Sequence, residues 1–219
     1  MNAVTAAEAK VVQIPVGMAE NWAYLVACPR TAVAALVDPA WEVDTLLRRA
    51  ATEGLKIEQI WLTHEHDDHT EGLALARRQT AARVCCHESV SRRFEADVGW
   101  KEGDTARLGG LLFEVWHTPG HAPGHVSLVG RGMVLCGDVL FADDGCGRAD
   151  LAGGDPEALW RSLQRLAALP DETKVYCGHH YGVRDSTTIG HEKGHNPCLR
   201  CENLDEFLDL RMGGRRRRR

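Results

Sequence analysis

The sequence predicts an α/β protein in which two β-sheets are each faced by helices. Short runs rich in Val, Ala, Leu and aromatic residues alternate with stretches of helical spacing, and this strand-then-helix pattern occurs twice. No linker, low-complexity segment or sequence repeat divides the body, so residues 1–212 read as one domain. At 219 residues the chain is long enough to bury a substantial core.

The elements follow in order. Residues 11–16, 22–28 and 32–38 are apolar and broken by Gly17 and Pro29, which predicts three successive strands. In "PAWEVDTLLRRAATEGL" the spacing of Val43, Leu46, Leu47, Ala50 and Ala51 predicts a helix that stops at Gly54. "IEQIWLT" reads as a short buried strand, 71–79 as a helix, "ARVCC" as a strand and 88–95 as a further helix. From 103 to 136 the pattern is strand-like, with turns at Gly109-Gly110 and Gly130-Arg131-Gly132. "DPEALWRSLQRLAAL" is a helix that Asp155 caps, with Pro156 in its first turn and Leu159, Leu163 and Leu166 on one face. "KVYC" gives a last strand, and "NLDEFLDLRMG" a closing helix ended by Gly213.

Composition narrows the function classes. With 44% hydrophobic and 26% charged residues and no apolar run of membrane-spanning length, no membrane partner is expected. The N-terminus lacks a basic segment followed by an apolar one, so no secretory signal is read there. The eight cysteines are accordingly expected as reduced thiols of a cytoplasmic protein. The net charge of −5 becomes −10 when the five arginines 215–219 are set aside. The segment 213–219, two glycines followed by those five arginines, reads as a tag or disordered tail, and no nucleic-acid partner is expected from it.

Eleven histidines are unevenly placed, and several fall just after apolar strands. "LTHEHDDHTEG" brings His64, His66, Asp68 and His69 to one strand end. "HTPGH" adds His121, "LCGD" adds Asp138 and "VYCGH" adds His179. Imidazole nitrogen and carboxylate oxygen are the usual ligands of zinc, and of iron or manganese in related sites. Five histidines and two aspartates at strand ends suffice for two divalent metals with one carboxylate between them. Glu65 and Asp67 alternate with these residues and are expected to point away, while His117 and His125 are expected to pack beside His121 rather than bind metal.

In this order the strings His64-x-His66-x-Asp68-His69, Thr118-Pro-Gly-His121, Gly137-Asp138 and Gly178-His179 resemble the metallo-β-lactamase superfamily. The resemblance implies a four-layer αβ/βα sandwich with the site at one edge between the sheets. It implies His64, His66 and His121 on one metal, Asp68, His69 and His179 on the other, and Asp138 bridging. Zinc is the expected metal, with iron or manganese as options, and Asp68 and Asp138 are the expected catalytic carboxylates. A hydroxide held between the ions, available because coordination lowers the water pKa to about 7, would attack a carbonyl.

"GDVLFADDGCGRADL" and "VYCGHHYG" are most similar to hydroxyacylglutathione hydrolase (glyoxalase II). That similarity implies a small thioester or related carbonyl substrate, with Arg148, Tyr181 and His180 as substrate-side residues. The chain departs from it in length: only 40 residues (219 − 179) follow His179, too few for the helical C-terminal domain that helps bind glutathione in that family. A second branch, the persulfide dioxygenases, holds a single iron with residues that fall on His64, His121 and Asp138. A lactonase shares the dinuclear ligand set, and a non-catalytic binding or redox-sensing protein is the alternative outside enzymes. Separately, "HEKGHNPCLRC" offers His191, His195, Cys198 and Cys201 as a candidate structural zinc site. Trp22 and Trp41 are candidate pocket walls.

Overall fold

The computed structural model describes residues 8–216, and its first six strands form one sheet. They are β1 (Lys10–Val16), β2 (Asn21–Ala27), β3 (Val33–Val37), β4 (Lys56–Trp61), β5 (Arg83–His87) and β6 (Val98–Trp100), paired in that order. The pairs β1·β2 and β2·β3 are antiparallel, and β3 to β6 run parallel. Helices α1 (Val43–Thr52), α2 (Asp67–Thr70) and α3 (Leu73–Thr80) fill the crossovers among them. The second sheet has the order β12-β11-β10-β9-β8-β7. Its strands are β7 (Thr105–Leu108), β8 (Leu111–His117), β9 (Val126–Gly130), β10 (Met133–Gly137), β11 (Lys174–Cys177) and β12 (Thr187–Thr188). With it pack α4 (Pro156–Ala167), α5 (Ile189–His195) and α6 (Leu204–Arg216).

Three buried clusters define four layers. Strand residues point alternately to opposite faces, and β2 divides accordingly. Its Trp22, Tyr24 and Val26 meet Leu108, Phe113, Val115 and Leu128 of the second sheet. Its Ala23 and Leu25 join Leu46, Ala50, Leu73 and Ala76 of α1 and α3. On the far side, Val134 and Val175 pack with Leu159, Leu163 and Leu166 of α4 and with Phe207 of α6. Strands buried on both faces need near-continuous apolar runs, which is why β2 and β10 are buried at every position. Asp155 caps α4 as expected, its carboxylate accepting the Ala158 amide at 2.9 Å.

Two expected elements differ. The helix over 88–95 is reduced to a single 3-10 turn at Glu88–Val90. The Ser91 hydroxyl bonds the Glu88 carbonyl, competing with helix continuation, and Glu95 takes a positive φ of 47°. The closing helix does not end at Gly213, because α6 runs on to Arg216. A side chain at Gly213 would meet nothing within 4 Å, so no contact there forces the chain to turn. Residues 213–216 of the expected tail are therefore helical, and 217–219 lie outside the described residues. The sheet-edge strands β6 and β12, of three and two residues, carry too little pattern to be read from sequence.

Candidate metal centre

Four histidines aim the same ring nitrogen at one point because each has its other nitrogen occupied. His69 Nδ1 lies 3.2 Å from the Asp38 carboxylate, His121 Nδ1 2.7 Å from the Arg148 carbonyl and His179 Nδ1 2.9 Å from the Ala19 carbonyl. These partners only accept, so each Nδ1 donates and each Nε2 keeps its lone pair. The Thr63 hydroxyl donates to Asp38 at 2.6 Å, so its oxygen accepts from His64 Nδ1 at 3.0 Å. His64 Nε2 is thereby left free as well.

The freed nitrogens converge on carboxylates. His69 Nε2 and His179 Nε2 lie 3.2 Å apart, and Asp68 Oδ2 stands 3.6 Å and 3.4 Å from them. Asp138 lies 3.5 Å from His69, 3.2 Å from His179 and 3.4 Å from His121, which puts it between the two histidine groups. The rings of His64, His66 and His121 pack within 4.5–5.0 Å of one another. At this centre the ligand-atom groups of metal-binding dimensions are His64, His66, His121; His64, His69, Asp138; and Asp68, His69, His179; Asp143, His191 and Glu192 form a further such group outside it.

These residues fit divalent metal ions on two observations. Two lone pairs 3.2 Å apart repel unless a proton or a cation stands between them. In addition, His64 Nε2, His121 Nε2 and Asp138 Oδ1 are buried without a hydrogen-bond partner, a state that buried polar atoms rarely hold unaided. Burial pushes His64 well below the usual imidazole range, keeping it neutral as a ligand must be. Burial opposes charge on Asp138, but His69 and His179 outweigh it and hold this carboxyl well below its usual range.

The motif strands explain the placement. Thr63 and His64 follow β4, Asp138 follows β10 and His179 follows β11, all at one edge where the sheets face each other. Gly178 is required there: a side chain would sit 2.0 Å from Asp138 Oδ1. Glu65 turns away to accept the Gly124 amide, and Asp67 pairs with Arg93 at 2.7 Å. His117 stacks on His87 at 4.1 Å, and His125 accepts the Asp138 amide at 3.1 Å. Both lie outside the converging set.

A cleft of about 540 Å³ opens onto the centre, lined in part by Trp41, Phe141, Arg148, Leu151 and Tyr181. Tyr181 stacks on His179 at 4.5 Å. Arg148 is exposed and doubly bonded to Asp150 at 2.8 and 3.0 Å. Two expectations are corrected. His180 does not line the cleft; its ring packs at 5.2 Å on Trp22, which is itself in the core, and its Nε2 faces Asp185 at 3.3 Å. His191, His195, Cys198 and Cys201 do not gather into a zinc site among the described residues. The two histidines stack on one face of α5 at 4.1 Å, whereas Cys198 packs 3.3 Å from Cys146 and Cys201 bonds the Pro197 carbonyl.

Two residues of the centre escape the motif reading. Asp38 accepts the Thr63 amide and hydroxyl and faces His69, and Asn21 donates to Asp68 at 3.0 and 3.2 Å. A signal for Asp38 is present in the sequence, since it too is a carboxylate at the end of an apolar strand.

Fold and site together define a four-layer αβ/βα protein with a histidine–aspartate centre suited to divalent metals. The chain belongs to the metallo-beta-lactamase superfamily, whose family model matches residues 17–179. A hydroxyacylglutathione hydrolase of Methylobacterium sp. (strain 4-46) is 34% identical over 216 residues, covering 83% of each chain. Several further relatives of that name are matched over only 62 to 64% of their length. Among solved structures, ETHE1 from Myxococcus xanthus superposes with a TM-score of 0.86 at 34% identity, covering 94% of this chain and 91% of that one. TTHA1623 in a di-iron-bound form superposes with a TM-score of 0.72 at 34% identity, over 85% and 98%.

Proposed function

We propose that the chain is a dinuclear metal-dependent hydrolase of a thioester of hydroxyacylglutathione type. The observation that carries this reading is the convergence of the Nε2 atoms of His64, His69, His121 and His179 on Asp68 and Asp138, with each Nδ1 already engaged. His64, His66 and His121 would hold one ion, Asp68, His69 and His179 the other, with Asp138 shared. Zinc, iron and manganese all suit this donor set. Ions so held supply Lewis acidity and a nucleophilic water at neutral pH. The names of the relatives support the thioester.

The chain's own residues do the rest. Asn21 fixes Asp68 by bonding both its carbonyl and its carboxylate. Trp41, Phe141, Leu151 and Tyr181 wall the cleft and displace water from a bound acyl group. Arg148 stands at the rim as a contact for the carrier. A thiol has a pKa of roughly 8.5 and leaves as thiolate without a proton donor. Burial, with Asp138 and Asp68 nearby, pushes the Tyr181 phenol up to about 12. It therefore stays protonated and can serve a poorer leaving group such as a lactone alkoxide.

One observation favours a second reading, oxidation of a persulfide on a single iron. The orphaned atoms of His64, His121 and Asp138 form the two-histidine, one-carboxylate set that such a site uses. Metal analysis with a substrate panel separates the two. Two ions per chain and thioester hydrolysis, lost in Asp138→Ala, support the hydrolase. One iron per chain with oxygen uptake on glutathione persulfide supports the dioxygenase. Metal-loaded protein that hydrolyses no thioester, lactone or β-lactam sinks the hydrolase reading.

A further inference from the structure

Glu192 on α5 is fully buried, yet no ion pair to it occurs among the described residues. A buried carboxylate is costly unless donors surround it. Here they do: it accepts the Thr187 hydroxyl at 2.7 Å, the Asp143 amide at 3.2 Å and the Asn196 side-chain amide at 2.9 Å. Asn196, equally buried, also donates to the Phe141 and Gly145 carbonyls at 3.0 and 2.9 Å. An apolar side chain would fill this space more cheaply, so the polar pair is explained by the backbone groups it holds. Three of those groups, the Asp143 amide and the Phe141 and Gly145 carbonyls, belong to residues 141–145, while the Asn196 side-chain oxygen accepts the Cys198 and Leu199 amides.

This loop leads to the metal centre. Phe141 and Gly145 close it by an amide–carbonyl bond at 3.0 Å, and the Gly147 amide returns to the Asp138 carbonyl at 2.9 Å. The next residue, Arg148, supplies the carbonyl that accepts from His121 Nδ1. His69 and His179 are oriented elsewhere, by Asp38 and by the Ala19 carbonyl. Arg211 of α6 also braces the loop, donating to the Cys146 and Gly147 carbonyls at 3.0 and 3.1 Å.

We infer that Glu192 and Asn196 are positioning residues that set His121 through the 141–148 loop. They thereby act most directly on one metal position, that of His64, His66 and His121; the loop reaches the other only through the Phe141 ring on His179 and through the shared Asp138. The inference rests on the reading that the cluster holds two ions.

Cobalt(II) titration of metal-free protein, followed by its visible absorption, tests it. Wild-type protein is expected to show two binding events. Glu192→Gln, which keeps the shape, and Asn196→Ala are expected to weaken one event about 10- to 100-fold, the usual range for losing a partner that orients a ligand. The other event should be retained. Thr188→Ala removes the side-chain cap of α5 without touching the loop, and should lower the melting temperature while keeping both events. Equal weakening of both events in Glu192→Gln, or of neither, overturns the inference. Wild-type protein that takes up no cobalt overturns the metal reading itself, and this inference with it.

Discussion

Replacing Asp38 by Asn should weaken metal binding while leaving the protein folded. Asp38 is 3% exposed and accepts from the Thr63 amide at 2.8 Å, the Thr63 hydroxyl at 2.6 Å and His69 Nδ1 at 3.2 Å. It sits at a positive φ of 48°, which Asn tolerates better than most residues, so the backbone is not strained. Asn keeps the volume but presents one acceptor oxygen and one NH2 group. Its oxygen can retain the Thr63 amide, which turns the NH2 toward Thr63 Oγ1 and His69. His69 Nδ1 must then accept, which moves the ring proton to Nε2 and removes the lone pair aimed at Asp68 and Asp138. Loss of such an orienting partner weakens metal binding about 10- to 100-fold, or about 1.4 to 2.7 kcal/mol. Asp38→Ala would strand three buried donors, at about 1–3 kcal/mol each, against a total stability of about 5–15 kcal/mol. The Asn variant is therefore the sharper probe. Metal content after dialysis, with the melting temperature of the metal-free protein as a folding control, gives the answer. Asp38→Asn protein that binds both ions with wild-type affinity would refute the tautomer reasoning.

Metal uptake should release protons at pH 7. Burial disfavours charge on His69 and His179, but Asp138 with Asp38 in the first case, and Asp138 with Asp68 in the second, raise both, His179 to about 9. Without metal, one proton shared between their Nε2 atoms, 3.2 Å apart, relieves the repulsion of the lone pairs, so affinity should rise as pH approaches 9 and fall on acidification. Calorimetry in two buffers of different ionisation enthalpy measures this, and identical heats would count against it. Gly147→Ala would place a methyl 2.1 Å from the Asp138 carbonyl and 2.8 Å from His121 Nδ1. It should displace His121 and lower both metal content and turnover by at least about tenfold, since misplacing a reacting group costs at least that much. Full metal content and activity in this variant would show that the loop tolerates the shift.

Much of the architecture is written in local pattern. The apolar runs ending at Thr63, Gly137 and Cys177 mark where the strands stop, and strand ends are where polar side chains can collect. The types and order of His64, His66, Asp68, His69, His121, Asp138 and His179 are equally legible, because metal chemistry restricts which side chains serve and short spacings restrict how they point. Elements with weak periodicity are not: 88–95 loses its helix to serine hydrogen bonding, and β6 and β12 are too short to show a period. Orientation depends instead on packing between segments far apart in the chain. His180 follows His179 directly, yet it faces Trp22 because adjacent residues in extended chain point opposite ways. His191, His195, Cys198 and Cys201 have a metal-like spacing, but Cys198 meets Cys146, 52 residues distant in sequence. Asp38 and Asn21 reach the centre from strands that carry no motif, and Glu192 reaches it only through a loop. Sequence spacing constrains which ligands are available; which nitrogen of each histidine faces the metal depends on the hydrogen-bond partner that long-range packing brings to the other.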